Sequence, residues 1–132
     1  MIGLDTNVVV RYVVQDDPRQ AAAASRLMER TLSADNPGFI SIVTVCEIGW
    51  VLAECYAADR ARIAEVVKAL LETRQIVVES ADLVWKALRA WRGSAADLSD
   101  ALIGAIAAAN GARTTVTFDK AAARLPGFQL LP

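Results

Sequence analysis

Short apolar runs, each stopped by a polar residue or a turn, alternate along the chain with longer segments whose apolar positions recur at helical spacing. Met1-Ile2-Gly3-Leu4 is the first short run, and it stops at Asp5. Thr6–Val14 follows as a strongly apolar short helix with Arg11 as its one charge. In Gln15-Asp16-Asp17-Pro18, Asp17 has the character of an N-cap and Pro18 that of a first helical residue, so a second helix is expected over residues 19–32. Residues 33–38 are a loop, and Phe39-Ile40-Ser41 is a second strand. Ile42–Tyr56 is apolar nearly all round (Val43, Val45, Cys46, Ile48, Trp50, Val51, Leu52), which is the pattern of a buried helix, with Glu47 in its middle.

Asp59 caps a helix over residues 60–73, whose core face is Ile63, Val66, Val67, Leu70 and Leu71. Residues 75–78 form a β-branched strand. Ser80 or Asp82 opens a helix that runs to about Trp91 and is broken by Gly93-Ser94. Asp97-Leu98-Ser99-Asp100 opens the next, which closes on Asn110-Gly111 with the glycine expected at a helix end. Residues 113–118 are a strand that stops at Asp119, residues 120–124 a helical turn, and residues 128–131 a last strand. Strands alternating with helices predict an α/β fold with a mainly parallel sheet. The length of 132 residues, without repeat or linker, predicts a single domain over residues 1–132.

Composition narrows the chemistry. The chain is 55% hydrophobic, yet no apolar stretch runs far enough without a charge to span a bilayer, and no basic region precedes an apolar core as in a signal peptide. The apolar excess points instead to an oligomer or partner interface. Net charge is −1, which gives no global argument for nucleic acid and leaves local basic patches open. The two cysteines, Cys46 and Cys55, fall in one predicted helix about 13 Å apart, against the roughly 7 Å a disulfide allows. Reduced, buried, inert thiols in a cytoplasmic protein are expected. The count of zero histidines removes Ser-His-Asp and Cys-His catalysis and histidine-ligated zinc. Any enzyme built here works with carboxylates, lysine, hydroxyls or a hard cation.

The candidate acids are Asp5, Glu47, Asp100 and Asp119. Asp5 and Asp119 each follow an apolar strand, where ligands of a parallel sheet sit. Asp100 lies in the first turn of its helix. Plain structural roles are open to three of them: Asp5 and Asp119 as N-caps, and Asp97 with Asp100 as a capping box. Glu47 on a buried helix needs a partner, either a cation such as Arg11 or Arg113 or a metal. Carboxylates gathered at one end of a sheet repel one another, and a divalent cation resolves the repulsion. Oxygen ligands without His or Cys select Mg²⁺ or Mn²⁺, the ions of phosphoryl-transfer chemistry.

Leu4-Asp5-Thr6-Asn7, Ser41 with Glu47, Asp97-Leu98-Ser99-Asp100-Ala101-Leu102 and Thr117-Phe118-Asp119 come in an order that resembles the PIN-domain ribonucleases, specifically the small VapC-type toxins of toxin–antitoxin pairs. The resemblance covers the whole chain. It implies a three-layer fold with a central, mainly parallel sheet flanked by helices. It implies a site of Asp5, Glu47, Asp100 and Asp119 around Mg²⁺ (or Mn²⁺), with Asp5 and Asp100 as the most direct ligands. Asp97 would support them, and Thr6, Asn7 and Thr117 would orient carboxylates or water. The implied activity is metal-dependent cleavage of RNA, tRNA or rRNA in particular. The implied partners are a second copy of the chain and a VapB-type antitoxin.

Lys86, Arg89 and Arg92 share a helix face that is either simply solvated or a phosphate-contacting surface. Two other functions compete. A phosphatase or phosphoacceptor domain would use Asp5 as nucleophile, but Asn7 stands where a haloacid-dehalogenase-like motif has its second acid, and Lys120 is poorly placed for a receiver domain. A binding module that keeps the fold without catalysis is the other. No G-x-G-x-x-G follows the first strand, against a dinucleotide site.

Overall fold

A computed structural model describes all of residues 1–132, which form two compact units, Met1–Glu79 and Ser80–Pro132. The class is α/β, with parallel strands and flanking helices. No helix is long and apolar enough to cross a membrane.

In the first unit, strand β1 (Ile2–Gly3) leads into helix α1 (Thr6–Val14) and helix α2 (Pro18–Arg26). Strand β2 (Gly38–Ile40) leads into α3 (Ile42–Tyr56) and α4 (Arg60–Glu72), and strand β3 (Ile76–Val78) closes the unit. The three strands lie in the order β1-β2-β3, all parallel, so each crossover carries a helix pair. The core joins Val9 and Val10 of α1, Ile40 of β2, Val45, Ile48 and Leu52 of α3, and Ile63, Val66 and Val67 of α4. A Cβ on Gly38 would come within 2.7 Å of Leu4 and 2.8 Å of Leu32, so glycine lets β2 lie against them. Asp17 and Asp59 cap α2 and α4 as expected, accepting hydrogen bonds from the Gln20 and Arg62 amides at 3.0 and 2.8 Å. The second helix does not run evenly to residue 32: past Arg26 it widens into a π turn over Leu27–Thr31.

Helix α3 corrects one expectation. It buries Thr44, Val45, Ile48, Gly49 and Leu52 only. Val43 (66%) and Trp50 (64%) stand exposed, and so does Glu47 between them. An all-round apolar helix is therefore only half buried here, and Glu47 does not carry a buried charge. The expectation of buried thiols fails with it: both cysteines are free, Cys55 is exposed and Cys46 half-buried.

In the second unit, α5 (Ala81–Arg92) packs through Val84, Ala87, Leu88 and Trp91 on Leu98, Ala101, Leu102 and Ala105 of α6 (Leu98–Ala109). Strands β4 (Thr115–Thr117) and β5 (Phe128–Leu130) pair in parallel, joined through a short 3₁₀ turn at Ala122–Arg124. The ring of Phe128 fills the space above Gly104, where a Cβ would collide with it. The hydrogen-bonded strands thus form two parallel ladders, one in each unit.

Candidate active site

The first unit places Asp5, Thr6, Asn7 and Glu47 around one cavity of about 430 Å³. Asp5 leaves β1 in extended conformation and caps α1, its Oδ1 accepting from the Thr6 amide at 2.7 Å. The capping role foreseen for Asp5 is therefore real, and it leaves Oδ2 free. Thr6 is buried, and its hydroxyl donates to Glu47 Oε2 at 2.6 Å. Glu47 is thus held by Thr6 and not by Arg11. The start of α3 is itself fixed twice: Ser41 Oγ accepts from the Thr44 amide at 3.1 Å, and Glu79 Oε1 from the Ile42 amide at 2.8 Å. These bonds set the register in which Glu47 meets Thr6.

The second unit carries Asp97, Asp100, Thr117 and Asp119. Asp97 and Asp100 form the capping box at the start of α6, with the Asp97 amide donating to Asp100 Oδ2 at 3.3 Å. Asp119 follows β4. Its Oδ1 accepts from the amides of Ala121 (2.8 Å) and Ala122 (3.0 Å), and its own amide donates to Thr117 Oγ1 at 3.0 Å. Thr117 thus contacts the main chain of Asp119 and not its carboxylate. Burial pushes the Asp100 carboxyl above its usual range, and the negative charges of Asp97 and Asp119 push in the same direction, against the amide bond from Asp97. Asp100 thus lies in the negative field of its two neighbours.

The donor chemistry fits a hard divalent cation. Every candidate ligand is a carboxylate oxygen, Asp5 and Asp119 keep an oxygen outside their capping bonds, and Asp100 sits in a negative field that a cation would relieve. Neither ion pair, Arg11–Asp16 nor Arg62–Glu65, engages any of these acids. In neither unit do three or more Asp, Glu or Cys side chains converge into a metal cage on their own.

The first cavity has a second feature, which no motif in the sequence marks. Arg11, Cys55 and Tyr56 line it as well. Arg11 Nε donates to Gln20 Oε1 and Nη1 to the Tyr56 hydroxyl, both at 2.8 Å, while Tyr56 donates to Asp16 Oδ2 at 2.7 Å. The available signal was a lone arginine in an apolar helix, one turn beyond Asn7. Lys86, Arg89 and Arg92 are all exposed along α5, as either reading of them requires.

Comparison with curated proteins gives no match. The model of the PIN domain matches residues 2–127, nearly the whole chain. The chain therefore belongs to the PIN domain family, whose fold is generally that of a nuclease.

Proposed function

We propose that this protein is a metal-dependent endoribonuclease, the toxin of a VapBC-type toxin–antitoxin pair, cutting RNA such as tRNA or rRNA in the cytoplasm. The observation that carries the reading is the Thr6–Glu47 hydrogen bond, which keeps Glu47 beside Asp5 in one cavity where a plain N-cap would need no second acid. Asp5 and Asp100 are the proposed direct ligands of Mg²⁺ or Mn²⁺, with Glu47 and Asp119 completing the set and Asp97 in support. A divalent cation, when bound, supplies Lewis acidity toward water and phosphate.

The chain's own residues do the rest. Thr6 fixes the Glu47 carboxylate as an acceptor, and Thr117 fixes the turn that presents Asp119. Glu47, exposed on α3, would take a proton from the attacking water. Asn7 lines the same cavity with an amide that orients water or a phosphate oxygen. Exposed apolar side chains, Val43 and Trp50 on α3 and Ile103 on α6, are the proposed contacts with a second copy of the chain and the antitoxin.

The test is cleavage of total cellular RNA by the purified chain with Mg²⁺ or Mn²⁺ and with chelator. Discrete fragments that require the metal are expected. Fragments that persist in chelator would overturn the mechanism, and a trapped aspartyl-phosphate on Asp5 would replace it with the phosphoacceptor reading.

A further inference from the structure

Arg11 is held more tightly than a surface arginine needs to be. Its Nε is bonded to Gln20 on α2, and its Nη1 is bonded to Tyr56 on α3 and lies 3.5 Å from Asp16 Oδ1. The Tyr56 hydroxyl in turn donates to Asp16 Oδ2 at 2.7 Å, which closes the ring of contacts. An exposed ion pair such as Arg11–Asp16 alone contributes under about 1 kcal/mol and does not call for three further hydrogen bonds. What the arrangement does achieve is a guanidinium plane fixed in place, with both N–H groups of Nη2 left unbonded. A guanidinium already fixed in place can donate through Nη2 to a phosphate oxygen without further entropy loss.

The surroundings say which phosphate. Arg11 borders two cavities. One is the cavity of about 430 Å³ that holds Asp5 and Glu47. The other, about 310 Å³, lies between α1 and α2 and is lined by Val8, Ala23, Ala24 and Leu27 along with Gln20. Asn7 and Arg11 line both, so those two side chains stand at the border between the cavities. A free anion gains little beside two carboxylates. A strand gains more: its reacting phosphate belongs with the acids, its next phosphate meets a fixed cation, and the base beyond finds small apolar walls.

We infer that Arg11 binds the backbone phosphate adjacent to the scissile one, and that the α1–α2 cleft seats the neighbouring nucleoside of a single-stranded RNA. The inference rests on the nuclease reading and names how that site holds its substrate.

The experiment measures binding of a fluorescein-labelled single-stranded RNA oligonucleotide by anisotropy, over a series of KCl concentrations, alongside steady-state cleavage of the same RNA. Arg11→Gln is expected to weaken binding about tenfold and to flatten the slope of log K against log salt by about 0.7, the loss of one phosphate contact. KM rises accordingly, while kcat at saturating RNA stays within about threefold. Arg11→Lys recovers the slope but not the full affinity, because it keeps the charge and loses the bonds to Gln20 and Tyr56 that fix its position. Ala23→Phe fills the cleft and weakens binding with the salt slope unchanged. Thermal melts establish that each variant is folded. A purely structural role for Arg11 would lower the melting temperature and kcat and leave the slope of the folded protein untouched, which overturns the inference. So does wild-type affinity in a folded Arg11→Gln. Wild-type protein that neither binds nor cuts RNA would instead sink the nuclease reading, and this inference with it.

Discussion

The Thr6 hydroxyl donates to Glu47 Oε2 at 2.6 Å, tying the first turn of α1 to the middle of α3 across 41 residues of sequence. Thr6→Val keeps the shape and removes the donor. The variant is expected to lose about tenfold in kcat with KM little changed, since Glu47 stays present but is no longer aimed. The stability cost of the lost bond is about 1 kcal/mol. Thr6→Ser should restore most of the rate. Steady-state kinetics and urea melts measure both.

Asp100 is a strained acid, and its strain has a sign. Its carboxyl in the fold is raised, first by burial and then by Asp97 and Asp119, so ionising it costs stability. That penalty is in full force above the raised folded value, shrinks as pH falls through it, and is gone below the ordinary value of an unfolded aspartate. Asp100→Asn is therefore expected to be more stable than wild type at neutral pH, by under about 1 kcal/mol because the group is partly solvated. The gain should fade on acidification to about pH 3.5, below the unfolded carboxylate range. Thermal melts of the two proteins across pH measure it, and equal stability at every pH would contradict it.

Cys55 and Cys46 differ in reach. Cys55 is exposed and lines the cavity of Asp5 and Glu47, whereas burial and then the Glu47 charge raise the Cys46 thiol. A maleimide should modify Cys55 at least about tenfold faster, because the thiolate is the nucleophile. A bulky adduct there is expected to block RNA cleavage, and Cys55→Ser to be immune. Peptide mass mapping after brief labelling reads the selectivity.

Gly104 carries the contact that seats β5 on α6. Gly104→Ala drives a methyl into the Phe128 ring, and repacking costs about 1–3 kcal/mol. The second unit should lose protection first, as hydrogen exchange over residues 80–132 would record.

The order of elements was legible in the sequence because each start carries its own chemistry. Asp17-Pro18 and Asp59 cap helices where the pattern placed them. The strand ends at Asp5 and Asp119 were legible for the same reason: an acid that stops an apolar run also takes up backbone amides just beyond it. Burial of α3 was misread. Hydrophobicity at Val43 and Trp50 does not say whether a helix meets its own core or solvent, and only the packing of α1 and α4 on α3 decides. The Arg11–Tyr56 bond spans 45 positions and depends on how α1 and α3 cross, which no local pattern encodes. The π turn after Arg26 leaves no mark in the apolar spacing.

The most direct test of the nuclease reading compares Asp5→Asn and Asp100→Asn, one acid from each unit, with wild type in Mn²⁺-supported cleavage of RNA. Each carboxylate is replaced by an amide of the same shape, so folding is retained and the cation loses a charged ligand. Both variants are expected to lose at least about a thousandfold in rate while still melting cooperatively, a loss of about 4 kcal/mol in transition-state stabilisation. Wild-type cleavage in either variant would contradict the assignment of these acids to the reaction.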